Sequence, residues 1–307
     1  MMRYTLTRIG SVIPTVLGAA TVAFLLLRLI PGDPARISAG PTATPEQVEH
    51  LRVQLGLDRP WWEQYLDFMK NLFTGSLGTS TRSGNSVAAE IGTRLPFTIQ
   101  LAFWAMLIAI VVGCALGIVG ALYRGRAIDF IFSAVSVIGV SAPVFWIGLM
   151  MIVLFSVKLG WFPASGAATP ASVVLPAVAL SLFAIGFISR QTRSAMIDAL
   201  SMDAVRTARA KGMSGVNVIG KQALRNALVP VITVVGLQFG QMLGGSILTE
   251  SVFGWPGIGQ LLVNSINNRD YPVVQGVVFV VAVLLILVNL ATDLLYSAID
   301  PRVRHGN

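Results

Sequence analysis

Six long apolar runs constrain the fold of this chain more than any other feature. They occupy residues 9–30, 98–122, 130–157, 173–189, 229–249 and 273–292. A helix of about 20 residues, rising about 1.5 Å per residue, crosses a hydrocarbon core of about 30 Å. The sequence therefore predicts an all-α, polytopic membrane protein with six transmembrane helices in a single domain. Pro143 leaves open whether the third run is one kinked helix or two.

The composition also favours a membrane protein. Apolar residues make up 54% and charged residues 12% of the 307 residues, against about 25% charged in typical soluble domains. A net charge of +8 would suggest nucleic acid as the partner of a soluble protein. Here the bias of Lys and Arg between alternate loops explains the charge, so we expect the lipid bilayer and no nucleic acid. The single cysteine, Cys114, lies in an apolar run and excludes an intrachain disulfide.

The distribution of Lys and Arg predicts the orientation. If the two termini, residues 123–129 and residues 190–228 share one side, that side carries 13 basic residues and the other carries 8. Cytoplasmic loops carry the excess of Lys and Arg, so both termini are predicted in the cytoplasm. The first run follows Arg3 and Arg8 but is too long for a signal peptide, and no cleavage site follows it. We interpret it as an uncleaved helix.

Residues 31–97 form a polar insert on the outer side. Thr44, Pro45 and Gln47 are typical of a helix start, with a cap, a first-position proline and a capping-box glutamine. An aromatic amphipathic stretch follows, and we expect it at the outer membrane–water interface or against the transmembrane bundle. The residues that form this stretch are Trp61, Trp62, Tyr65, Phe68, Met69 and Phe73.

Two sets of glycines are spaced for close helix packing. They are Gly113, Gly117 and Gly120 on one run, and Gly236, Gly240 and Gly244 on another. Small residues at this spacing let helix backbones approach closely. We favour tight packing, with a gating hinge as the alternative.

Ionisable residues near membrane depth are few, namely Arg28, Glu250 and Asp293. Such groups usually face a pathway or a partner, although each of these lies near the end of its run, where it could instead anchor at the interface. Glu250, Asp293 and the second glycine set are therefore the candidate pathway or gate residues.

Residues 203–230 form a basic, polar island between two apolar runs. Ser201 or Asp203 is expected to cap a short helix over residues 204–211. Gly212 lies where a left-handed residue would end that helix.

A second helix is expected to start at Ser214. Its predicted apolar face comprises Val216, Ile219, Ala223 and Ala227. Pro230 is expected in the first turn of the next membrane helix. We interpret residues 203–222 as a cytoplasmic coupling element, with a solvated basic loop as the alternative.

No enzymatic constellation is found, so no catalytic, cofactor or metal residue is expected. His50 and His305 lie in polar segments far from the apolar runs. Residues 215–222 nearly match the phosphate-loop pattern, but Gln222 replaces the Ser or Thr that would hold magnesium, and no strand is predicted before it. Active transport would therefore need an ATPase on another chain.

Four ordered stretches carry a resemblance to a known family. They are LIPGDP at 29–34; VRTARAKG at 205–212 with LRNALVP at 224–230; GGSI at 244–247 through Glu250 to FGWPGIG at 253–259; and RDYP at 269–272 with DLLY at 293–296 and DPR at 300–302. These stretches resemble the signatures of the permease subunits of bacterial ABC importers for peptides, nickel and glutathione. The resemblance covers essentially the whole chain.

The resemblance implies a type I importer permease in the bacterial cytoplasmic membrane. It implies a second permease, usually a paralogue, two ATPase subunits and an external substrate-binding protein. The expected cargo is short peptides, with glutathione as the most specific expectation. Nickel chelates, oligosaccharides and, from a different class, an ion-coupled secondary carrier are the alternatives.

The resemblance also implies the residues that contact the ATPase. They are Asp203, Arg206, Thr207, Ala208, Arg209, Ala210, Lys211, Gly212, Lys221 and Arg225. The sequence departs from the wider superfamily because Arg206, Thr207 and Ala208 stand where a Glu-Ala-Ala motif is usual. The usual acidic contact to the ATPase is therefore absent.

Overall fold

The computed structural model describes residues 2–29, 33–40, 42–54, 56–127, 129–130 and 142–299, and helices dominate this part of the chain. Within it, the single strand-like pairing is an isolated bridge between Thr79 and Ser86. The predicted all-α class is confirmed. Parts of two sequence signatures, residues 30–32 and 300–302, lie outside the described residues, as does His305.

The helices of the first half are α1 (Met2–Leu29), α2 (Pro34–Ala39), α3 (Pro45–Gln54), α4 (Trp61–Phe73), α5 (Val87–Leu122) and α6 (Val144–Met151). Those of the second half are α7 (Val174–Ser201), α8 (Asp203–Ala210), α9 (Gly215–Asn217), α10 (Leu224–Val252), α11 (Ile258–Asn267) and α12 (Tyr271–Ile299). Two π-helical turns extend these helices. Ile152–Lys158 continues α6, and Val218–Ala223 joins α9 to α10.

Among the described residues, four helical segments are long and apolar enough to cross a membrane. They are Val87–Leu122, Pro170–Ser201, Gly215–Val252 and Tyr271–Leu294. Two shorter apolar helices, Gly10–Leu26 and Val144–Lys158, match the first and third predicted runs. Residues 131–141 of the third run lie outside the described residues, which leaves open whether it is one helix or two.

Several helices extend well beyond the apolar runs that predicted them. α5 begins at Val87, so residues 87–97 of the predicted insert are its first turns. α7 continues to Ser201. The expectation that Pro230 lies in a first helical turn is wrong, because α10 has already started at Leu224. An apolar run marks the part of a helix at membrane depth, whereas the hydrogen-bonded helix continues into water.

The long helices α5 and α10 run in opposite directions, whereas α5 and α12 run in the same direction. The end of α5 at Ala121 lies in one cluster with the start of α10 at Ala227. The start of α5 at Val87 lies in another cluster with the start of α12 at Val273. The first cluster belongs to the basic end of the molecule, which carries residues 203–223, and the second belongs to the insert end.

Two glycines let α5 and α7 pack with their backbones in close contact. A Cβ atom on Gly117 would lie 2.5 Å from the Cβ of Thr192 and 2.6 Å from the carbonyl oxygen of Ser189. A Cβ on Gly113 would lie 2.9 Å from the Cγ2 of Ile188. Such distances exclude any larger residue without movement of the helices. The predicted tight packing on this run is confirmed.

The insert packs as short helices beside the bundle. The N–H of Thr44 donates to the Oε1 of Gln47 (2.9 Å), and the N–H of Gln47 donates to the Oγ1 of Thr44 (3.3 Å). This reciprocal pair is the predicted capping box at the start of α3, which is confirmed. The aromatic stretch forms α4, and Tyr65 and Phe68 contact Phe24 of α1, as expected for packing against the bundle.

We expect Gly117→Ala to lower the stability of the purified protein by about 1–3 kcal/mol, the usual effect of forcing extra volume into a packed interior. The added Cβ has no room against Thr192 and the backbone of α7. Gly92→Ala, in the same helix, is the control because its Cβ would meet nothing within 4 Å. That variant should match or exceed the wild type, since alanine is the better helix former. Thermal unfolding in detergent measures both; equal midpoints for Gly117→Ala and wild type would contradict the close packing.

Candidate functional site

The first half of the predicted coupling element is a short helix closed by a glycine turn. α8 spans Asp203–Ala210, and Gly212 follows with a φ of +74°. The N–H of Met213 donates to the carbonyl oxygen of Ala208 (3.2 Å), and that of Gly212 donates to Arg209 (3.0 Å). These bonds satisfy carbonyl groups at the end of α8. The predicted glycine termination is confirmed.

The start of α8 differs from the expectation. Met202 occupies the cap position, and no side chain bonds to the free N–H groups of α8 from there. The hydroxyl of Ser201 donates to the carbonyl oxygen of Asp198 in α7 instead (2.7 Å), and Asp203 is already the first residue of α8. The predicted cap at Ser201 or Asp203 is therefore wrong, because only one extended residue separates α7 from α8.

The second half of the coupling element contains a π-helical turn that the sequence did not reveal. Hydrogen bonds in the turn Val218–Ala223 span five residues instead of four. The structure buries Val218, Ala223 and Ala227, whereas Val216 is 82% exposed. Val216 is therefore wrongly assigned to the predicted face, whereas Ala223 and Ala227 are buried as predicted and the partly buried Ile219 packs against the same cluster. The wider turn advances the buried position by five residues, from 218 to 223.

The coupling element presents a basic surface to solvent at the basic end. Its inner side is fixed, because Val205 and Ala208 pack in one cluster with Met196 and Ala199 of α7. The exposed members of the predicted coupling set are Asp203, Arg206, Thr207, Arg209, Ala210, Lys211, Gly212, Lys221 and Arg225. Ala208 is the buried member of this set. The structure therefore brings the set to one end of the molecule, and its contact with an ATPase stays a prediction.

Sequence reasoning missed an ion pair close to this surface. Arg193 of α7 donates from Nε to one carboxylate oxygen of Asp129 (2.6 Å) and from Nη2 to the other (2.7 Å). The N–H of Gly125 donates to the same carboxylate (3.0 Å). The bonds from Arg193 and then from Gly125 favour the ionised form and lower the pKa of Asp129 from 3.8 to about 2. The available signal was Arg193 itself, a charge on the helix that continues an apolar run.

Glu250, a candidate pathway or gate residue, is fully buried at the insert end. Its carboxyl group accepts hydrogen bonds from the hydroxyl of Thr98 (2.7 Å) and from the N–H groups of Gly259 (2.7 Å) and Gln260 (3.1 Å). The N–H of Ile258 donates to Thr98 (2.9 Å). These are free N–H groups at the start of α11, so Glu250 and Thr98 together cap that helix. Any role of Glu250 in a pathway stays a prediction.

Two glycines near the start of α11 leave room for this carboxyl group. A Cβ on Gly257 would collide with the carboxyl of Glu250, and one on Gly259 would lie 2.8 Å from its Oε2 atom. The indole N–H of Trp255 donates to the carbonyl oxygen of Phe97 in α5 (2.9 Å). The third sequence signature therefore joins α5, α10 and α11.

Asp270 is a second buried carboxyl group at the insert end. It accepts hydrogen bonds from the hydroxyl of Ser80 and from the N–H of Thr81 (3.2 Å). The Nε of Arg82 donates to the carbonyl oxygen of Asn268 (2.8 Å). The loop before α5 is thus held against the junction of α11 and α12.

The candidate gate glycines on α10 have different surroundings. A Cβ on Gly236 would collide with Thr292 of α12, and one on Gly240 would lie 3.6 Å from the Oδ1 of Asn289. A Cβ on Gly244 would meet nothing within 4 Å. Gly236 is therefore a packing contact, whereas Gly244 has open space beside it; a gating role stays a prediction for all three.

Asp293, the last candidate gate residue, lies at the basic end. Its Oδ2 atom is 3.1 Å from the Nη1 of Arg8. This ion pair joins α12 to α1, and both side chains are partly exposed. The structure thus gives Asp293 a bonding partner on α1, and a role in a pathway stays a prediction.

The helical bundle has the fold of the membrane-spanning subunit of a type I importer. A solved structure of the MetNI methionine ABC transporter, in an inward-facing conformation, aligns with 68% of this chain and 96% of its own, with a TM-score of 0.59 and 21% identity. An amino acid ABC transporter with histidines aligns with 68% of this chain and 94% of its own, with a TM-score of 0.55 and 17% identity.

Sequence comparisons identify the family. Residues 109–305 match the model for binding-protein-dependent transport system inner membrane components, and residues 1–102 match its N-terminal model. The chain therefore belongs to this family. A dipeptide transport system permease, DppB of Alkalihalophilus pseudofirmus, is 41% identical over 99% of this chain and 100% of its own length. A glutathione transport system permease, GsiC of Escherichia coli, is 43% identical over the same shares.

Membership of this family fixes the general role of the chain. It is the membrane-embedded permease subunit of an ABC importer and not itself an enzyme, because ATP hydrolysis belongs to partner subunits. The importer also includes a substrate-binding partner.

We expect Asp129→Asn to lower the thermal midpoint at neutral pH. The folded-state pKa of about 2 lies below the ordinary value of 3.8, so the ionised carboxylate stabilises the fold above that value. The contribution is lost as the pH falls from about 4 through about 2. The difference in midpoint between the two proteins should therefore shrink across that window. Asp67→Asn, which removes an exposed pair with Arg59, should have little effect and is the control.

We expect Glu250→Ala to destabilise the protein more than Glu250→Gln. Alanine removes the acceptor of three donors, two of them in buried hydrogen bonds, at about 1–3 kcal/mol for each buried group left unpaired. Glutamine keeps one oxygen for the N–H groups of Gly259 and Gln260. Gln241→Ala, at an exposed position of the same helix, is the control. Equal midpoints for the alanine and glutamine variants would rule out the capping role.

Proposed function

We propose that the chain forms half of the translocation path of an importer for short peptides, with glutathione as a specific candidate. One observation carries this proposal: curated relatives that align along their full length include a dipeptide permease and a glutathione permease. The other half of the path is a second permease, a paralogue of this chain. Two ATPase subunits and one external binding protein complete the complex.

The coupling element is the proposed contact with the ATPase subunits. Its basic outer side is free in this chain, whereas Val205 and Ala208 fix its inner side to α7. Val218 and Ala223 belong to the same cluster, close to the start of α10. A displacement of α8 is therefore passed to two membrane helices at once. A ligand shifts a conformational equilibrium only by its differential affinity, so a thousandfold preference of ATP for one state supplies about 4 kcal/mol.

The proposed orientation follows the Lys and Arg bias. The basic end and both termini lie in the cytoplasm of the bacterium, and the insert end faces outwards. The binding protein then docks on the outward segments, residues 31–97, 158–172 and 250–272. No cofactor on this chain is needed for this mechanism.

The test is uptake by the complete complex in sealed vesicles. We expect ATP inside the vesicles and the binding protein outside to support accumulation of a dipeptide or glutathione. Calorimetry of the binding protein with peptides, glutathione, nickel and oligosaccharides identifies the cargo. Accumulation of only nickel or oligosaccharides would overturn the peptide assignment, and uptake driven by an ion gradient without ATP would overturn the importer mechanism.

We expect Gly212→Pro to uncouple ATP hydrolysis from uptake. Proline fixes φ near about −65°, which is incompatible with the +74° of Gly212, so α8 loses its fixed relation to the turn that follows. The substrate imported per ATP hydrolysed should fall at least about fivefold, the lower range of typical coupling energies. Gly215→Ala is the control, since it lies in the same element without a positive φ and its Cβ would meet nothing within 4 Å. Normal uptake by the proline variant would refute the coupling assignment.

A further inference from the structure

Helix α4 exposes four large apolar side chains. Trp61 is 67% exposed, Trp62 53%, Leu66 58% and Phe73 80%. Residues 31–97 as a whole are the proposed docking segment for the binding protein, but that proposal assigns no contact to these four side chains. Exposure of this kind on a helix of the insert calls for a partner, because contiguous apolar patches usually mark an interaction surface.

The contact between α4 and α1 shows which part of α1 lies beside α4. The hydroxyl groups of Thr21 and Tyr65 lie 2.9 Å apart. The ring of Phe24 lies 5.1 Å from that of Tyr65 and 5.7 Å from that of Phe68, centroid to centroid. The apolar part of α1 spans Gly10–Leu26, so both contact residues of α1 belong to its last turns. α4 therefore lies beside the end of an apolar membrane helix, at the level where hydrocarbon meets water.

The sides of α4 are arranged for such a boundary. At about 100° per residue, Leu66 and Phe73 lie about 20° apart on the helix, and Leu66 lies about 100° from Tyr65. The open apolar side is thus next to the side that packs on α1, and not opposite to it. Going round the helix from Tyr65 past Leu66, the next side chains are those of Lys70 and Glu63. One side of α4 meets protein, the next is apolar and open, and the next is charged.

We propose that α4 lies in the membrane–water interface at the insert end, with its open apolar side in contact with phospholipid. The apolar surface of α1 continues it, because Val22, Leu25 and Leu26 are 57%, 41% and 38% exposed at the same height. Tryptophan is enriched at this level of membranes, and the exposed Lys70 is of the sign that suits lipid phosphates. Phospholipid is therefore the occupant that fits both the chemistry and the continuity of the surface.

Contact with lipid would also fix the orientation of the polar side of α4, so that this side faces α12. Gln64, Asp67 and Asn71 line a cavity of about 290 Å³ whose other wall includes Tyr271 and Gln275 of α12. Lipid on one side and α1 on the next then hold this wall opposite α12.

Spin labels test the proposal. Cys114 is the single cysteine, so Cys114→Ala gives a background for Leu66→Cys and Phe73→Cys on the apolar side. Glu63→Cys and Lys70→Cys are the matched controls on the charged side. The full-length chain, with the subunits that copurify with it, is reconstituted into vesicles of phosphatidylethanolamine and phosphatidylglycerol. We expect oxygen, which partitions into hydrocarbon, to relax labels at 66 and 73 more than a water-soluble nickel chelate does, and the reverse at 63 and 70.

Two outcomes would overturn the proposal. Stronger relaxation by the nickel chelate at all four positions would show that water covers the apolar side. Protection of positions 66 and 73 from both reagents would show that protein covers it. Uptake by the same samples is measured separately, so failure of the lipid contact is distinguishable from failure of the import function.

Discussion

Buried carboxyl groups that accept hydrogen bonds from backbone N–H groups hold the irregular parts of this bundle together. Glu250 bonds the start of α11, Asp270 bonds the loop before α5, and Asp129 bonds the turn after α5. A helix in lipid satisfies its own backbone, but a break between helices does not. At these three places an acidic side chain supplies the acceptor that the backbone lacks.

Much of the fold was predictable because it depends on local chemistry. The apolar runs predicted the membrane helices, and the residues around Thr44 and Gly212 predicted a helix start and a helix end that the structure contains. The close approach at Gly117 followed from glycine spacing alone. In each case the information lies within a few residues of the feature. The family, too, was recognisable from four short stretches whose order along the chain is retained.

The rest of the site was hidden because its partners are far apart in sequence. Glu250 and Thr98 are separated by 152 residues, and Arg193 and Asp129 by 64, so no local pattern reveals either bond. The π-helical turn at Val218–Ala223 misled the periodicity argument for a different reason. A face predicted with 3.6 residues per turn loses its register when one turn holds an extra residue. Packing against α7 and α10 determines which residues of this segment are buried.

The pairing of the first helix with one of the last has a consequence for biosynthesis. α1 packs chiefly against α12, and the Arg8–Asp293 ion pair joins them at one end. The ribosome therefore releases α1 into the bilayer long before its main neighbour exists. Until the final helix leaves the translocon, α1 must be held by its own hydrophobicity and by the insert that follows it. A chain truncated before α12 would therefore leave its first helix without its principal neighbour.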